Sequence, residues 1–378
     1  MKRQKRIFTL TMTLLLVSAV VLLLISVLAR ATVFETINGM KYSIDTKNNV
    51  STLVVNNPKY SGDIVVSEKI SYDGQDYPVT SLGDSCFVNC SGLISIDIPS
   101  SVTSLGDNCF LLCKKITSIT IPSSVKSLGW NCFAGCSGLT SITIPSSVTS
   151  LGDGCFGYCS GLTSITIPSS VKSLGWNCFY GCSRLTSVII PSSVTSLKHG
   201  CFYGCSGLTS INIPSSVTSF GEYCFELCSG LTSITIPSSV TSLEKYCFYG
   251  CSKLTSIDIP PSVNSLGENC FTGCSGLTSI KIPPSVKSLG DDFFNGCSNL
   301  TSIDIPSSVT SLGENCFAYC SRLTSISCHA ITPPRCRYTF SDIDQSHCKL
   351  YVPKGSINKY KSADEWKSFS NIYAIEGS

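Results

Sequence analysis

The chain has 378 residues, 43% of them hydrophobic, which is ample for a large core; only 13% are charged, so Ser and Thr must supply much of the wet surface. The formal net charge is +3 and no basic stripe runs through the body, which speaks against a nucleic-acid binder. No GxSxG, HExxH or phosphate-cradling glycine loop occurs, and His199, His329 and His347 are scattered, so no catalytic residue, metal site or cofactor is expected and the chain does not read as an enzyme.

At the N-terminus, MKRQKR is a basic start to the apolar run Ile7–Ala29, and Ala29-Arg30-Ala31 fits the small-x-small pattern of a signal-peptidase site. The run has 23 residues, which is also enough to span a bilayer. Residues 1–31 are therefore expected to be either a signal peptide, cleaved after Ala31, or an uncleaved anchor whose residues 7–29 are the chain's membrane contact. Both readings place the rest outside the cytoplasm, secreted or at the cell surface. Residues 1–31 hold five basic residues and no acid, so the remainder carries 22 basic against 24 acidic residues.

Residues 32–79 show strand and hairpin chemistry (YSID, STLVV, DIVVSEKISYDGQDYPV) without the cysteines that follow, and read as an N-terminal β cap. From residue 80 to 327 the chain repeats itself. The first cysteine of a CFxxC motif stands at 86, 109, 132, 155, 178, 201, 224, 247, 270 and 316, with Phe293 in the same place, giving eleven registers of 23 residues without insertion or deletion. Such a strict period predicts a mostly β, leucine-rich-repeat type of solenoid of about eleven repeats, a parallel strand ladder with short helical turns and a cap at each end.

One unit assigns the parts. Leu139-Thr-Ser-Ile142-Thr-Ile144, stopped by Pro145, predicts a short strand with Leu139, Ile142 and Ile144 inward. Val148-Thr-Ser-Leu151 predicts a second extended segment, Gly152 a turn, and Cys132-Phe133-x-x-Cys136 about one helical turn. Stacked units would set parallel strands about 4.8 Å apart, ten of them making a sheet roughly 45 Å wide. Two residues before each first cysteine, seven of eleven residues are acidic, as expected where exposed amides need acceptors. A calcium ladder is the rival reading, but Trp130, Trp176, His199 and Lys245 interrupt the row. Beyond Ser327 the period is lost. Residues 328–378 read as a C-terminal cap, with KLYVP as a strand and KGSINKYKSADEWKSF as an amphipathic helix.

Of 24 cysteines, 21 fill the two repeat positions and Cys328, Cys336 and Cys348 lie in the tail. On a helical turn, residues four apart hold their Cβ atoms about 5–6 Å apart, whereas a disulfide needs about 3.5–4.5 Å. Phe293 replaces a first cysteine while Cys297 remains, so the position is expected to be chosen for apolar volume. Disulfides between neighbouring turns are the alternative, and a bridge among the three tail cysteines stays open. Zinc needs closed sets of four ligands, which CxxxC units without histidine do not define.

Units of the form LTSITIPSSVTSLGxxCFxGCSG resemble the leucine-rich repeats of BspA-like proteins, a bacterial surface class of 23-residue repeats. The tail KLYVPKGSINKYKSADEWKSF is similar to the end of such proteins from Bacteroides-type organisms, and INGMKYSIDTKNN to their entry segment. That family usually has Ala at the place of Cys132. The resemblance implies a secreted or surface protein that adheres to host matrix, host cells or other microbes, with an extracellular protein or cell-surface ligand as partner and no nucleic acid.

The outward residue between the two isoleucines is expected to carry recognition. It reads Asp97, Thr120, Thr143, Thr166, Ile189, Asn212, Thr235, Asp258, Lys281, Asp304 and Ser327, and the candidate ligand-binding residues are those departing from Thr: Asp97, Ile189, Asn212, Asp258, Lys281 and Asp304. Trp130, Trp176, Tyr180, Tyr203 and Tyr249 lie at the turn edge, either as packing or as a strip for glycan or protein contact. A surface scaffold without a specific ligand is the remaining alternative, and ice binding is disfavoured by the Asp and Lys that break the Thr row.

Overall fold

The computed structural model describes residues 32–56 and 59–376; the expected signal or anchor segment lies outside the described residues. Among these, no helix is long and apolar enough to cross a membrane. The chain forms a β-solenoid of about 13 turns, made of parallel strand ladders with almost no helix.

Each unit contributes one rung to each of two ladders. In the first ladder, Ser164–Thr166 pairs with Ser187–Ile189, each residue lying against the one 23 positions on, and Thr120 bridges to Thr143 in the same way. In the second, Ser196–Leu197 pairs with Ser219–Phe220 in parallel. The inward residues Leu139, Ile142, Ile144, Val148 and Leu151 are buried between the ladders, as their spacing predicts.

Regular pairing begins before the cysteine repeats. Strands β1 (Thr32–Ile37), β2 (Met40–Asp45) and β3 (Val50–Leu53) form an antiparallel meander, and β5 (Lys69–Tyr72) makes a hairpin with β6 (Gln75–Leu82). β3 starts the second ladder by pairing in parallel with β6, Leu53 against Leu82, and β6 carries it on through Ser81–Leu82, while β4 (Gly62–Val65) pairs with β7 (Leu93–Asp97) and starts the first. At the other end Ser325–Cys328 pairs with Lys349–Val352, which pairs with Asn371–Ala374. The ladder thus exceeds the eleven expected units, by one rung before and two after. Between those last strands, the expected helix is reduced to a six-residue α1 (Ile357–Ser362) flanked by two 3-10 turns.

The Cys-Phe segment is not the helical turn predicted from its spacing. Its amides alternate: Cys90 N donates to Phe87 O within the unit, whereas Phe87 N donates to Cys109 O and Asn89 N to Leu111 O of the next. A helix would turn every amide inward along one segment; this backbone shares every second amide with its neighbour. The alternation needs left-handed residues, which explains Asn108, Asn131 and Asn177 (φ 55°, 49° and 54°) before the cysteine, and Gly135 and Gly181 (φ 69° and 68°) before the second one.

The two cysteines of a unit differ in role. The second donates its S–H to the Phe carbonyl of the preceding unit in ten consecutive cases, as with Cys205 to Phe179 O at 3.2 Å and Cys297 to Phe271 O at 3.2 Å. The first forms no bond of this kind among the described residues and fills volume, which is why Phe293 can stand there. All 24 cysteines are free thiols, Cys328, Cys336 and Cys348 included. Burial pushes the thiols up, to about 12 for Cys136, Cys182, Cys228, Cys274 and Cys320, so the thiolate needed for metal binding or nucleophilic attack is disfavoured.

Beside the cysteines runs a spine of phenylalanines. Phe87, Phe110, Phe133 and their successors stack through Phe317 with rings 5.1 to 5.9 Å apart and nearly parallel. Phe340 continues the stack at 5.9 Å, although the surrounding sequence has left the repeat pattern. Tyr60 closes one end, and Trp366 and Phe369 close the other edge-on to Phe340. Tyr360 and Trp366 are anchored there by bonds to Ala330 O and Pro334 O.

Polar side chains are strung the same way. The second serine after each proline donates to the preceding Val carbonyl, as Ser193 does to Val171 O at 2.6 Å. Ser101, first of that column, has no partner for its buried hydroxyl among the described residues. The acidic row serves the stack: Asp84, Asp107, Asp153 and Asp291 each accept the amide of the residue 23 positions on at 2.8 Å. Units approach so closely at the turn that a Cβ on Gly175 would lie 2.4 Å from the backbone of Gly152.

Candidate functional site on two surfaces of the solenoid

The first surface is the outward row of the first ladder. Because side chains alternate along a strand, the residue between the two buried isoleucines must face solvent. The row runs from Val65 and Asp97 past Thr120 and Thr143 to Ile189, Asn212, Asp258, Lys281 and Asp304. Ile189 is 62% exposed, an apolar side chain standing in a field of hydroxyls, and Asn212 is its neighbour on the next rung. Asp258, Lys281 and Asp304 occupy three successive rungs and, with Ser256 and Ser279, line a shallow depression. Asp304 Oδ1 accepts from His329 Nε2 at 2.6 Å, whereas among the described residues neither Asp258 nor Lys281 has an ion-pair partner. Asp97 sits apart, near the N-terminal end.

The row extends beyond Ser327. Tyr351 and Tyr373 occupy the next two rungs with rings 5.7 Å apart, beside Lys349 and Glu376. Sequence reading missed them, although KLYV and NIYA keep the alternation that carried the earlier rungs.

The second surface is the turn edge. Tyr180 and Tyr203 stack at 4.3 Å, and Tyr158 meets Tyr180 edge-on at 5.0 Å. Trp176 reaches Tyr249 through a chain of rings the sequence reading overlooked: His199, Tyr223 and Tyr246, at 6.2, 5.0, 4.9 and 5.8 Å in turn. The repeat itself held the signal, since Trp176 and His199, Tyr180 and Tyr203, and Tyr223 and Tyr246 are each 23 residues apart. Trp130 is 61% exposed and has no ring partner among the described residues. Glu226 takes the place in the Tyr180–Tyr203 column before Tyr249, and burial raises its carboxyl to about 7.

Ser346, His347 and Asp344 bring together the residue types of a hydrolase triad. Ser346 Oγ at 3.0 Å and Asp344 Oδ2 at 2.7 Å both meet the same ring nitrogen, Nδ1, so no proton path runs from the hydroxyl through the ring to the carboxylate. Ser346 and His347 hold the Asp344 carboxyl down to about 2, as in a solvent-exposed turn. Among the described residues no group of three or more His, Cys, Asp or Glu is placed to hold a metal ion.

The family model described as "BspA type Leucine rich repeat region (6 copies)" matches residues 80–208, 195–326 and 241–350. The chain belongs to the BspA-type leucine-rich repeat family. Its solenoid is similar to the crystal structure of a leucine rich cell surface protein from Faecalibacterium prausnitzii A2-165, with 27% identity, 92% of this chain and 95% of that chain covered, and a TM-score of 0.61. A leucine-rich repeat protein from Bacteroides ovatus is 26% identical, with 85% of this chain and 100% of that one covered and a TM-score of 0.46. The pneumococcal vaccine antigen PcpA shares the fold at 18% identity, with 92% and 99% covered and a TM-score of 0.52. No curated protein matches the chain. As a BspA-type chain built of buried thiols, ladder hydroxyls and stacked rings, it has the make-up of a non-catalytic repeat protein.

Proposed function

We propose that this chain is an exported, non-catalytic leucine-rich repeat protein at the cell surface or beyond it, which binds a protein or cell-surface ligand through the outward row of its first ladder. The observation that carries this reading is the run Asp258, Lys281, Asp304, Ser327, Tyr351, Tyr373 along one outward row, with Asp258 and Lys281 left without ion-pair partners among the described residues. A fold-keeping residue on that row needs only to face water, and Thr or Ser does so elsewhere. Charges followed by two aromatic rings give a partner both orientation and buried contact area. The cell-surface description of the Faecalibacterium relative supports the location, and the apolar segment Ile7–Ala29 supports export.

The test is a binding screen of the chain against matrix proteins, glycans and microbial surfaces, repeated with Lys281→Glu and Tyr373→Ala. A saturable partner whose affinity falls at least ten-fold in both variants is expected. Saturable binding untouched by either variant would move the site elsewhere, and ordered self-assembly without any partner would favour a surface scaffold.

A further inference from the structure

Three aromatic side chains at the start of the turn edge stand open to solvent, unlike the rest of the strip. Trp130, Tyr158 and Trp176 are 61%, 60% and 57% exposed. Tyr180 and Tyr203, and Tyr223 and Tyr246, are stacked in pairs and half-buried. The open rings fall on three successive rungs: Asn131 N donates to Asp153 O and Gly154 N to Trp176 O, which sets the units of Trp130, Tyr158 and Trp176 side by side. We propose that these rings form a second, separate binding site, a platform along which a linear, β-linked polysaccharide lies parallel to the solenoid axis.

The fold does not call for indole at these places. Every other unit holds Asp, His, Glu or Lys there. The backbone amides of Trp130 and Trp176 bond Asp107 and Asp153 of the preceding units at 2.8 Å, just as the amide of Glu314 bonds Asp291, so the stack uses the backbone and leaves the side chain free to vary. Large apolar side chains gathered in the open mark a contact surface.

The period of the site points to the kind of ligand. KSLGW occurs at 126–130 and again at 172–176, with TSLGD at 149–153 between them. Lys and Trp thus return together at every second rung, an interval of roughly 10 Å at about 4.8 Å per rung. That is about one disaccharide of an extended β-linked chain, in which alternate sugars flip and the same ring face returns at every second one. The two indoles can each take the C–H face of a sugar, and Tyr158, displaced along the edge on the rung between, flanks the intervening ring. Hydroxyl groups find partners on the same rungs. Asp153 accepts the Trp176 amide through Oδ1, while its Oδ2 makes no bond among the described residues. Lys126 and Lys172 are exposed and have no ion-pair partner among the described residues. A protein partner would also use open aromatics, but it has no reason to repeat its contacts at a two-rung period, whereas a polysaccharide repeats by construction.

The test uses the tryptophans themselves. Of the three in the chain, Trp366 is fully buried, so acrylamide quenching of the full chain reports Trp130 and Trp176. Cellohexaose is expected to bind saturably and to shield both, while maltohexaose, whose α-links coil the chain, does neither. Trp130→Asp and Trp176→Asp give each unit the residue its neighbours already carry, so the fold is retained, and each should weaken cellohexaose binding about ten-fold or more. Lys281→Glu on the sheet face should leave it unchanged. No binding of cellohexaose, equal binding of maltohexaose, undiminished binding by the Asp variants, or shielding by a protein from the binding screen but by no glycan would each overturn the proposal. The sheet-face reading, judged on Lys281→Glu and Tyr373→Ala, is decided separately.

Discussion

The two cysteine columns make opposite predictions for the same substitution. Cys201 and Cys205 belong to one unit and are both fully buried, but only Cys205 donates to a carbonyl, Phe179 O at 3.2 Å. In Cys201→Ser a hydroxyl enters an apolar site without an acceptor, which costs about 1–3 kcal/mol beyond the lost volume. In Cys205→Ser the hydroxyl inherits an acceptor, and a net bond of about 0.5–1.5 kcal/mol offsets the lost sulfur contacts, even though the shorter C–O bond lengthens the reach. Cys205→Ser should therefore be the more stable by about 1–2 kcal/mol. Urea unfolding of the two variants under reducing conditions measures the difference as a shift in midpoint at common slope. Equal midpoints, or a greater loss at position 205, would refute the distinction between a donor column and a volume column.

Phe202, stacked between Phe179 and Phe225 at 5.4 and 5.6 Å, should lose about 3–5 kcal/mol on replacement by alanine. Because a solenoid is quasi-one-dimensional, that variant should also unfold with a reduced denaturant slope as the two halves uncouple; an unchanged midpoint would argue that the spine contributes little. Gly175→Ala forces a Cβ to 2.4 Å from the Gly152 backbone and should expand the local turn, so that limited proteolysis between residues 152 and 178 accelerates well above that of the parent chain. For Glu226, the unfolded carboxyl titrates near 4.5 and the folded one near 7, so the folded state holds the extra proton between those values and stability falls as pH rises across them. Discounted for partial exposure, the loss is about 1–2 kcal/mol. Glu226→Gln should raise the melting temperature at pH 8 and leave it nearly unchanged at pH 4, and the same shift at both pH values would contradict the assignment.

The solenoid was legible because its period is unbroken: eleven registers in phase fix which residues face inward, and the single exception, Phe293, shows that the first cysteine is chosen for volume. The difference between the columns was hidden, since the acceptor of each second thiol is a backbone carbonyl 26 residues earlier and depends on how one turn settles on another. The CFxxC segment read as a helical turn because spacing alone cannot tell an intra-unit amide bond from one shared with the next unit. Tyr351 and Tyr373 were missed because their rungs fall 24 and 22 residues after the previous ones, out of phase with a search at 23. At the edge the reading found single aromatics, whereas the continuous ring contacts and the unpartnered oxygen of Glu226 appear only when side chains have positions.

The side-chain ladders share a direction. Ser193 donates back to Val171, Cys205 to Phe179 and Thr186 to Thr163, and the Asp153 carboxylate waits for the amide of Trp176. In each case the later unit brings the donor and the earlier one holds the acceptor. A chain that assembles from its N-terminus therefore brings each unit's ladder side-chain donors to acceptors already in place, while the Phe amides run the other way and wait for the next unit. Growth in the opposite sense would expose a set of donors with nothing to receive them, and the lone buried hydroxyl of Ser101, at the head of its column, is what that situation looks like. In its side-chain ladders the array is a one-way zipper, and its two ends are chemically unlike even where their sequences are nearly the same.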